Sequence, residues 1–219
     1  MELNKIYRHR FSPDDVDQMN AVWRVLTEAF FQKWVPENSS ILDIGAGTCL
    51  FINNIKAQHR VAYDLNPETS KFCAPDVRFL GGDLIENIEF PMKFDCVFMS
   101  NFLEHMDDSD AVLKMLGSAG RLLRPGGKAL ILQPNFALTG AKYFDFIDHK
   151  VILTDKSLVE ALELEGFDVE YLKKRFLPYT SKSALPRSAW LVCLYLKLPF
   201  AQWLLGEQTF VVARKSGGA

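Results

Sequence analysis

The stretch Ile41-Leu42-Asp43-Ile44-Gly45-Ala46-Gly47-Thr48 constrains this chain more than any other. Ser40 to Ile44 is a short apolar run and reads as a buried strand. Gly45 and Gly47 follow at once, which permits a tight turn and lets a ligand approach the backbone closely. Units of this kind hold nucleotide-like ligands at the carboxyl end of the first strand of a doubly wound sheet. A dinucleotide turn would read G-x-G-x-x-G and set a pyrophosphate on a helix N-terminus. Here Leu50 stands where the last glycine belongs, which argues against a nicotinamide dinucleotide.

The rest of the chain alternates strand-like and helix-like segments. Ser12-Pro13-Asp14 opens a helix that runs through residue 35, with Ser12 as N-cap and Pro13 at the first helical position. After the glycine turn a helix is expected near 49–57, then strands at 60–64, 77–80 and 94–100. A helix from Ser109 to Leu123 ends at Arg124-Pro-Gly-Gly127, and a fifth strand runs from Lys128 to Gln133. Thr154 caps a helix that Gly166 ends, and Phe167–Leu177 and Gln208–Lys215 read as the last two strands. Alternation of this kind implies an α/β fold, with a largely parallel sheet and helices on both faces. Between the last two strands, residues 178–207 form a connection too long for a plain turn, and two helices breaking at Pro199 would fill it.

The totals narrow the function. A chain of 219 residues, 48% hydrophobic, suits one globular domain with a sizeable core. A net charge of −2 carries no footprint for nucleic acid. Cys49, Cys73, Cys96 and Cys193 are scattered without a C-x-x-C pair, so neither a zinc framework nor disulfides are expected and a cytoplasmic setting fits. The polar start, Met1-Glu-Leu-Asn-Lys, does not read as a signal peptide. Residues 185–205 are rich in Leu, Trp and Tyr, but Arg187, Lys197, Pro199 and Gln202 make a spanning helix improbable. A buried helix pair is the first expectation for this run, and an interfacial face touching a membrane or lipid-linked substrate is the second.

An acidic residue before the glycines, giving Asp43-x-Gly45-x-Gly47, resembles motif I of the class I S-adenosylmethionine-dependent methyltransferases. Further motifs follow in order. Asp64 ends the second strand seventeen residues after Gly47, Gly82-Asp83-Leu84 follows the third, and Ser100-Asn101-Phe102-Leu103-Glu104-His105 follows the fourth. The resemblance covers residues 40 to 215. It implies a Rossmann-like, seven-stranded, mostly parallel sheet with an antiparallel last strand. It also implies one methyltransferase domain over 1–219: a helical arm at 1–38, a core at 39–177 and 208–215, and a helical insertion at 178–207 over the acceptor side. The cofactor implied is S-adenosyl-L-methionine, with S-adenosyl-L-homocysteine as product. Its implied contacts are Asp43, Gly45, Ala46, Gly47, Asp64, Leu65, Asp83, Leu84, Asn101 and Phe102. In the family the residue at Asp64 accepts from the ribose hydroxyls, as an acceptor-only carboxylate can.

A closer similarity is to a bacterial subgroup that accompanies surface-polysaccharide and other glycan biosynthesis. It rests on Ser100–His105, Gln133-Pro-Asn-Phe136, Tyr143-Phe-Asp-Phe-Ile-Asp-His149, Phe176–Lys182 and Leu194–Lys197. The acceptor implied is a small molecule or glycan of the nucleotide-sugar type, methylated on oxygen. N- or C-methylation of a metabolite, or a cofactor-binding partner of glycan-assembly enzymes, are the alternatives. An alcohol acceptor loses a proton, so a histidine base is expected. His149 is the first candidate, oriented by Asp148 or Asp145, and His105 is the second. Asp145, Asp148 and His149 have no further oxygen cluster near them in sequence, so no metal is expected. A basic, aromatic arm (Tyr7, Arg8, Arg10) could close over the cofactor or grip an anionic group. Gln133-Pro-Asn-Phe136 follows the fifth strand, not the fourth, and so does not match the Asn-Pro-Pro-aromatic motif of DNA amino-methyltransferases.

Overall fold

The computed structural model describes residues 13–82, 92–179 and 188–216. Its sheet has seven strands in the order β3-β2-β1-β4-β5-β7-β6. These are β1 (Ser40–Ile44), β2 (His59–Asp64), β3 (Arg78–Gly81), β4 (Phe94–Ser100), β5 (Leu123–Pro134), β6 (Phe167–Lys173) and β7 (Gln208–Lys215). β1 pairs in parallel with β2 and β4, β2 with β3, and β4 with β5. β7 is antiparallel to both β5 and β6, so β6 runs with the parallel set. The expected fold class is therefore the observed one. β1 is buried along its whole length, as a central parallel strand covered on both faces must be.

Side chains alternate between two cores. Leu42, Ile44, Val97, Met99, Ala129, Ile131 and Val211 face one side, where α2 (Ser109–Leu122) and α4 (Asp155–Leu164) cover them. Ile41, Cys96, Phe98, Leu130, Leu132 and Phe210 face the other, under α1 (Pro13–Ala29) and α5 (Ala189–Lys197). Between α2 and α4 lies the short α3 (Phe136–Thr139), and α6 (Pro199–Leu205) follows α5. The second core is an aromatic knot in which Phe30, Phe31, Phe51, Phe98, Phe176 and Phe210 contact one another edge-on or stacked.

Local signals explain the helix ends. Asp108 caps α2 by accepting the Ala111 N–H, and Thr154 with Ser157 forms a reciprocal capping box on α4. Gly166, at φ +76°, turns the chain out of α4. α1 starts at Pro13 as expected, whereas its cap Ser12 lies outside the described residues.

Three expectations need correction. Residues 49–57 form successive turns in place of a helix, because Cys49 sits at φ +58° and breaks the helical path just after the glycines. The first helix stops at Ala29, and Phe31–Trp34 continues as one tighter turn that drives Phe31 into the core. β6 ends at Lys173, so Phe176 and Leu177 belong to the connection, where the N–H groups of Glu207 and Gln208 donate to the Leu177 carbonyl.

The 178–207 connection does carry two helices, and they break before Pro199 as expected. α5 packs on α1 and is anchored from within: Val192 and Tyr195 are buried, and Tyr195 Oη donates to the Phe176 carbonyl at 2.6 Å. Its outward side and α6 remain apolar, with Trp190, Phe200 and Trp203 more than 60% exposed. No described helix is long and apolar enough to cross a membrane.

Candidate active site

Two groups of residues meet at the carboxyl ends of the parallel strands. The first surrounds the glycine turn. The N–H groups of Gly45 and Ala46 both donate to the Tyr63 carbonyl, at 2.9 and 3.0 Å, which pins the turn to the end of β2. One residue further, Asp64 Oδ2 accepts the Gly47 N–H and Oδ1 accepts the Asn66 N–H, each at 2.8 Å. Asp64 is thereby held rigidly beside the turn, with carboxylate lone pairs to spare. Leu65 follows it at the surface. Gly45 and Gly47 lie at φ +72° and +55°, and a Cβ on Gly45 would fall 2.4 Å from Phe102 Cδ2. Gly45, Ala46, Gly47, Asp64 and Phe102 are thus brought to one place, with Asp43 beneath them. Asp83 and Leu84 lie outside the described residues, as do Tyr7, Arg8, Arg10, Lys182 and Arg187.

Burial shifts both carboxyl groups of this turn in the same direction. Burial pushes the Asp43 carboxyl well above the ordinary carboxylate range, and the Asp64 charge adds to the shift. Asp64 is itself raised by burial, against the lowering effect of its two N–H donors. Two carboxyl groups crowded at the turn leave no basic group there, among the described residues, to hold a pyrophosphate. Asn101, at φ +48°, buries an Oδ1 that accepts no hydrogen bond among the described residues. A buried acceptor left open beside a glycine turn fits a ligand that brings its own donors. S-adenosylmethionine, with its ammonium and sulfonium charges, suits this set.

The second group begins directly after Phe102. Leu103–His105 is a single tight turn, and the Glu104 carbonyl accepts the N–H groups of Lys150 and Val151 at 2.8 and 3.2 Å. That strap lays the loop after α3 across the end of β4. It sets His149 against His105, with ring centroids 5.0 Å apart. Asp148 goes to His105: its carbonyl lies 3.2 Å and its carboxylate 3.3 Å from Nδ1. The sequence assigns Asp148 or Asp145 to His149, whereas here Asp148 contacts His105 and Asp145 is exposed. His149 has Tyr179 Oη 3.4 Å from Nδ1 and Glu104 Oε1 3.9 Å from Nε2, with Phe146 stacked on its ring.

The two histidines differ in access to solvent. The His149 side chain is 4% exposed, while that of His105 is 30% exposed and has a carboxylate on its far nitrogen. Glu104 is fully enclosed. Its Oε2 accepts from Gln133 Nε2 at 3.0 Å, and burial raises its carboxyl above the usual range despite the nearby His105. Glu104, Gln133 and Tyr179 also belong to this cluster by contact, and the sequence placed them only inside longer motifs. An acid directly before a histidine at a strand end was the available signal for Glu104.

Comparisons with known proteins identify the family and the fold. A family profile described as a methyltransferase domain matches residues 16–172. The ubiquinone/menaquinone biosynthesis C-methyltransferase of Francisella tularensis is 25% identical over 174 residues, 71% of this chain and 67% of that protein. Among solved structures, an S-adenosylmethionine-dependent methyltransferase from Mesorhizobium loti superposes with a TM-score of 0.62 at 16% identity, covering 87% of this chain and 97% of that one. Another from Archaeoglobus fulgidus gives 0.61 at 20% identity, covering 88% and 94%. With the profile spanning most of the chain, over the glycine turn and both strands that flank it, this chain belongs to the methyltransferase-domain family and is an S-adenosylmethionine-dependent methyltransferase.

Proposed function

We propose that this enzyme methylates an oxygen of a small hydroxylated acceptor, of the glycan or nucleotide-sugar type, beside the His105–Asp148 pair. Asp43, Gly45, Ala46, Gly47, Asp64, Leu65, Asn101 and Phe102 would hold the cofactor, with Asp83 and Leu84 completing its adenine end. S-adenosylmethionine supplies a methyl group activated by its positive sulfur. The chain's own task is to align the acceptor and take up its proton.

One observation carries the reading. His105 Nδ1 faces both the carbonyl and the carboxylate of Asp148, which orients the ring and leaves Nε2 as the proton acceptor. His149 and Tyr179 brace the pair from the buried side, with His149 as the second candidate base. The glycan or nucleotide-sugar acceptor rests on the motif similarity at Ser100–His105 and Tyr143–His149. The 178–207 segment would form the acceptor-side wall, because it leaves β6 at the carboxyl ends of the strands and runs through Tyr179. The exposed Trp190, Phe200 and Trp203 would meet an apolar carrier or a membrane surface. All four cysteines are free, although the sulfurs of Cys49 and Cys73 lie 3.2 Å apart, and a reducing, cytoplasmic setting would keep them so.

A second reading is C-methylation of an apolar ring. The Francisella relative's name and the exposed aromatic face favour it. One experiment separates the two. The full chain is incubated with methyl-labelled cofactor and a panel of sugar nucleotides, lipid-linked glycans and hydroxylated aromatic rings. The product is then analysed by NMR. A methyl ether, formed at least about 100-fold more slowly by His105→Asn, supports the oxygen reading. A new carbon–carbon bond, or a His105→Asn enzyme of full activity, overturns it.

A further inference from the structure

We propose that Glu104, His105 and His149 form a binding site for one divalent first-row transition cation of the zinc type. One ligand-capable atom from each of the three lies within 4.8 Å of the other two. Adjacent ligands of a tetrahedral zinc, bonded at about 2.0–2.1 Å, stand roughly 3.3 Å apart. The observed spacing would have to tighten by up to about 1.5 Å to close on such a centre. Two imidazole nitrogens and one carboxylate oxygen suit zinc, iron or manganese better than magnesium or calcium. Three protein ligands of this kind also leave a coordination position open.

Two independent observations fit a bound cation. The first is Glu104 Oε1, which is buried and makes no hydrogen bond among the described residues. The His149 Nε2 it faces is 3.9 Å away, beyond hydrogen-bonding distance. A buried carboxylate oxygen without a hydrogen bond is expensive, and a cation between it and the imidazole would remove that cost. The second is the orientation of both rings. His105 Nδ1 is turned to the Asp148 carbonyl and carboxylate, and His149 Nδ1 to the Tyr179 hydroxyl. Metal-bound histidines are anchored in this manner through the nitrogen that does not ligate. Nε2 is then the ligating atom on each. Glu104 is fixed likewise, its Oε2 held by Gln133 at 3.0 Å.

The cation would enter from the His105 side, the partly exposed one. Its open position faces solvent, or the hydroxyl of the acceptor proposed above. A hydroxyl bound there would shed its proton to water, so the histidines that act as proton acceptors without the cation act as ligands with it. Only this last role rests on the oxygen-acceptor reading. Cation binding itself is measured without acceptor or cofactor, so either idea can fail alone.

The test uses untagged full-length protein stripped with chelator and titrated with CoCl2, then ZnCl2. The expected result is one equivalent of cobalt with visible d–d absorption, displaced by zinc. His105→Asn and His149→Asn should each weaken zinc binding by at least about 100-fold, and Tyr179→Phe by about 10-fold. His59→Asn, at an exposed position elsewhere, should leave it unchanged. Far-UV dichroism and S-adenosylmethionine affinity establish that each variant is folded. Should a histidine variant misfold, zinc-dependent elevation of the wild-type melting temperature, absent in Glu104→Gln, gives the same reading. Absence of stoichiometric binding by the wild type, or its persistence in the His105→Asn, His149→Asn double variant, overturns the proposal.

Discussion

Tyr179 and His149, thirty residues apart in sequence, meet with the tyrosine hydroxyl 3.4 Å from His149 Nδ1. The contact joins the stem of the helical insertion to the loop after α3. The start of the insertion thus touches the histidine pair directly, while α5 docks on α1.

Tyr179→Phe removes that hydroxyl and keeps the ring. Turnover should fall by about 3- to 10-fold, the loss of roughly one hydrogen bond's worth of orientation. Cofactor affinity should stay within a factor of two. The two quantities are read separately, by labelled-methyl transfer and by calorimetry, and an equal fall in both would mean that Tyr179 supports the fold and not the histidine.

Gly45→Val should abolish cofactor binding. The turn needs φ +72°, which a branched side chain adopts only with strain, and its Cβ would fall 2.4 Å from the Phe102 ring. Thermal unfolding and calorimetry on the purified variant check this. Normal melting together with normal affinity would exclude the glycine turn as the cofactor's seat.

Asp43 makes a prediction about pH. Burial and the neighbouring Asp64 raise its folded pKa above the unfolded value of about 3.9. A raised folded pKa stabilises fully below the unfolded value, and that stabilisation is lost as pH rises through the folded one. From about pH 4 upward, wild-type stability should therefore decline relative to Asp43→Asn, by up to about 1.4 kcal/mol per pH unit. Denaturant titrations at several pH values measure the difference. A stability gap between the two proteins that does not change with pH would show that Asp43 does not titrate in this range.

Much of the fold was legible in the sequence because its signals are local. The glycine turn, the Thr154 cap, Gly166 and the ends of β7 all follow from residues within a few positions of one another. The failures are equally physical. Nothing local marks Cys49 as the one non-glycine residue of that turn at positive φ, so a helix was expected where turns occur. The histidine pair was legible as two candidates, but their partners were not. Asp148 goes to His105, and Glu104 to His149, only because backbone N–H groups of Lys150 and Val151 bind the Glu104 carbonyl across 46 and 47 residues of chain. Sequence patterns carry no information about a strap of that length.

Calorimetry of S-adenosylmethionine binding to wild type and Asp64→Ala tests the account most directly. Asp64 is held beside the turn by the N–H groups of Gly47 and Asn66, at the place where the cofactor's ribose is assigned. The wild type should bind S-adenosylmethionine and not NAD. Asp64→Ala, still folded, should bind the cofactor about 1.5–3 kcal/mol more weakly, the loss of charged hydrogen bonds. Equal affinity in the two proteins would contradict the assignment of this turn as the cofactor site.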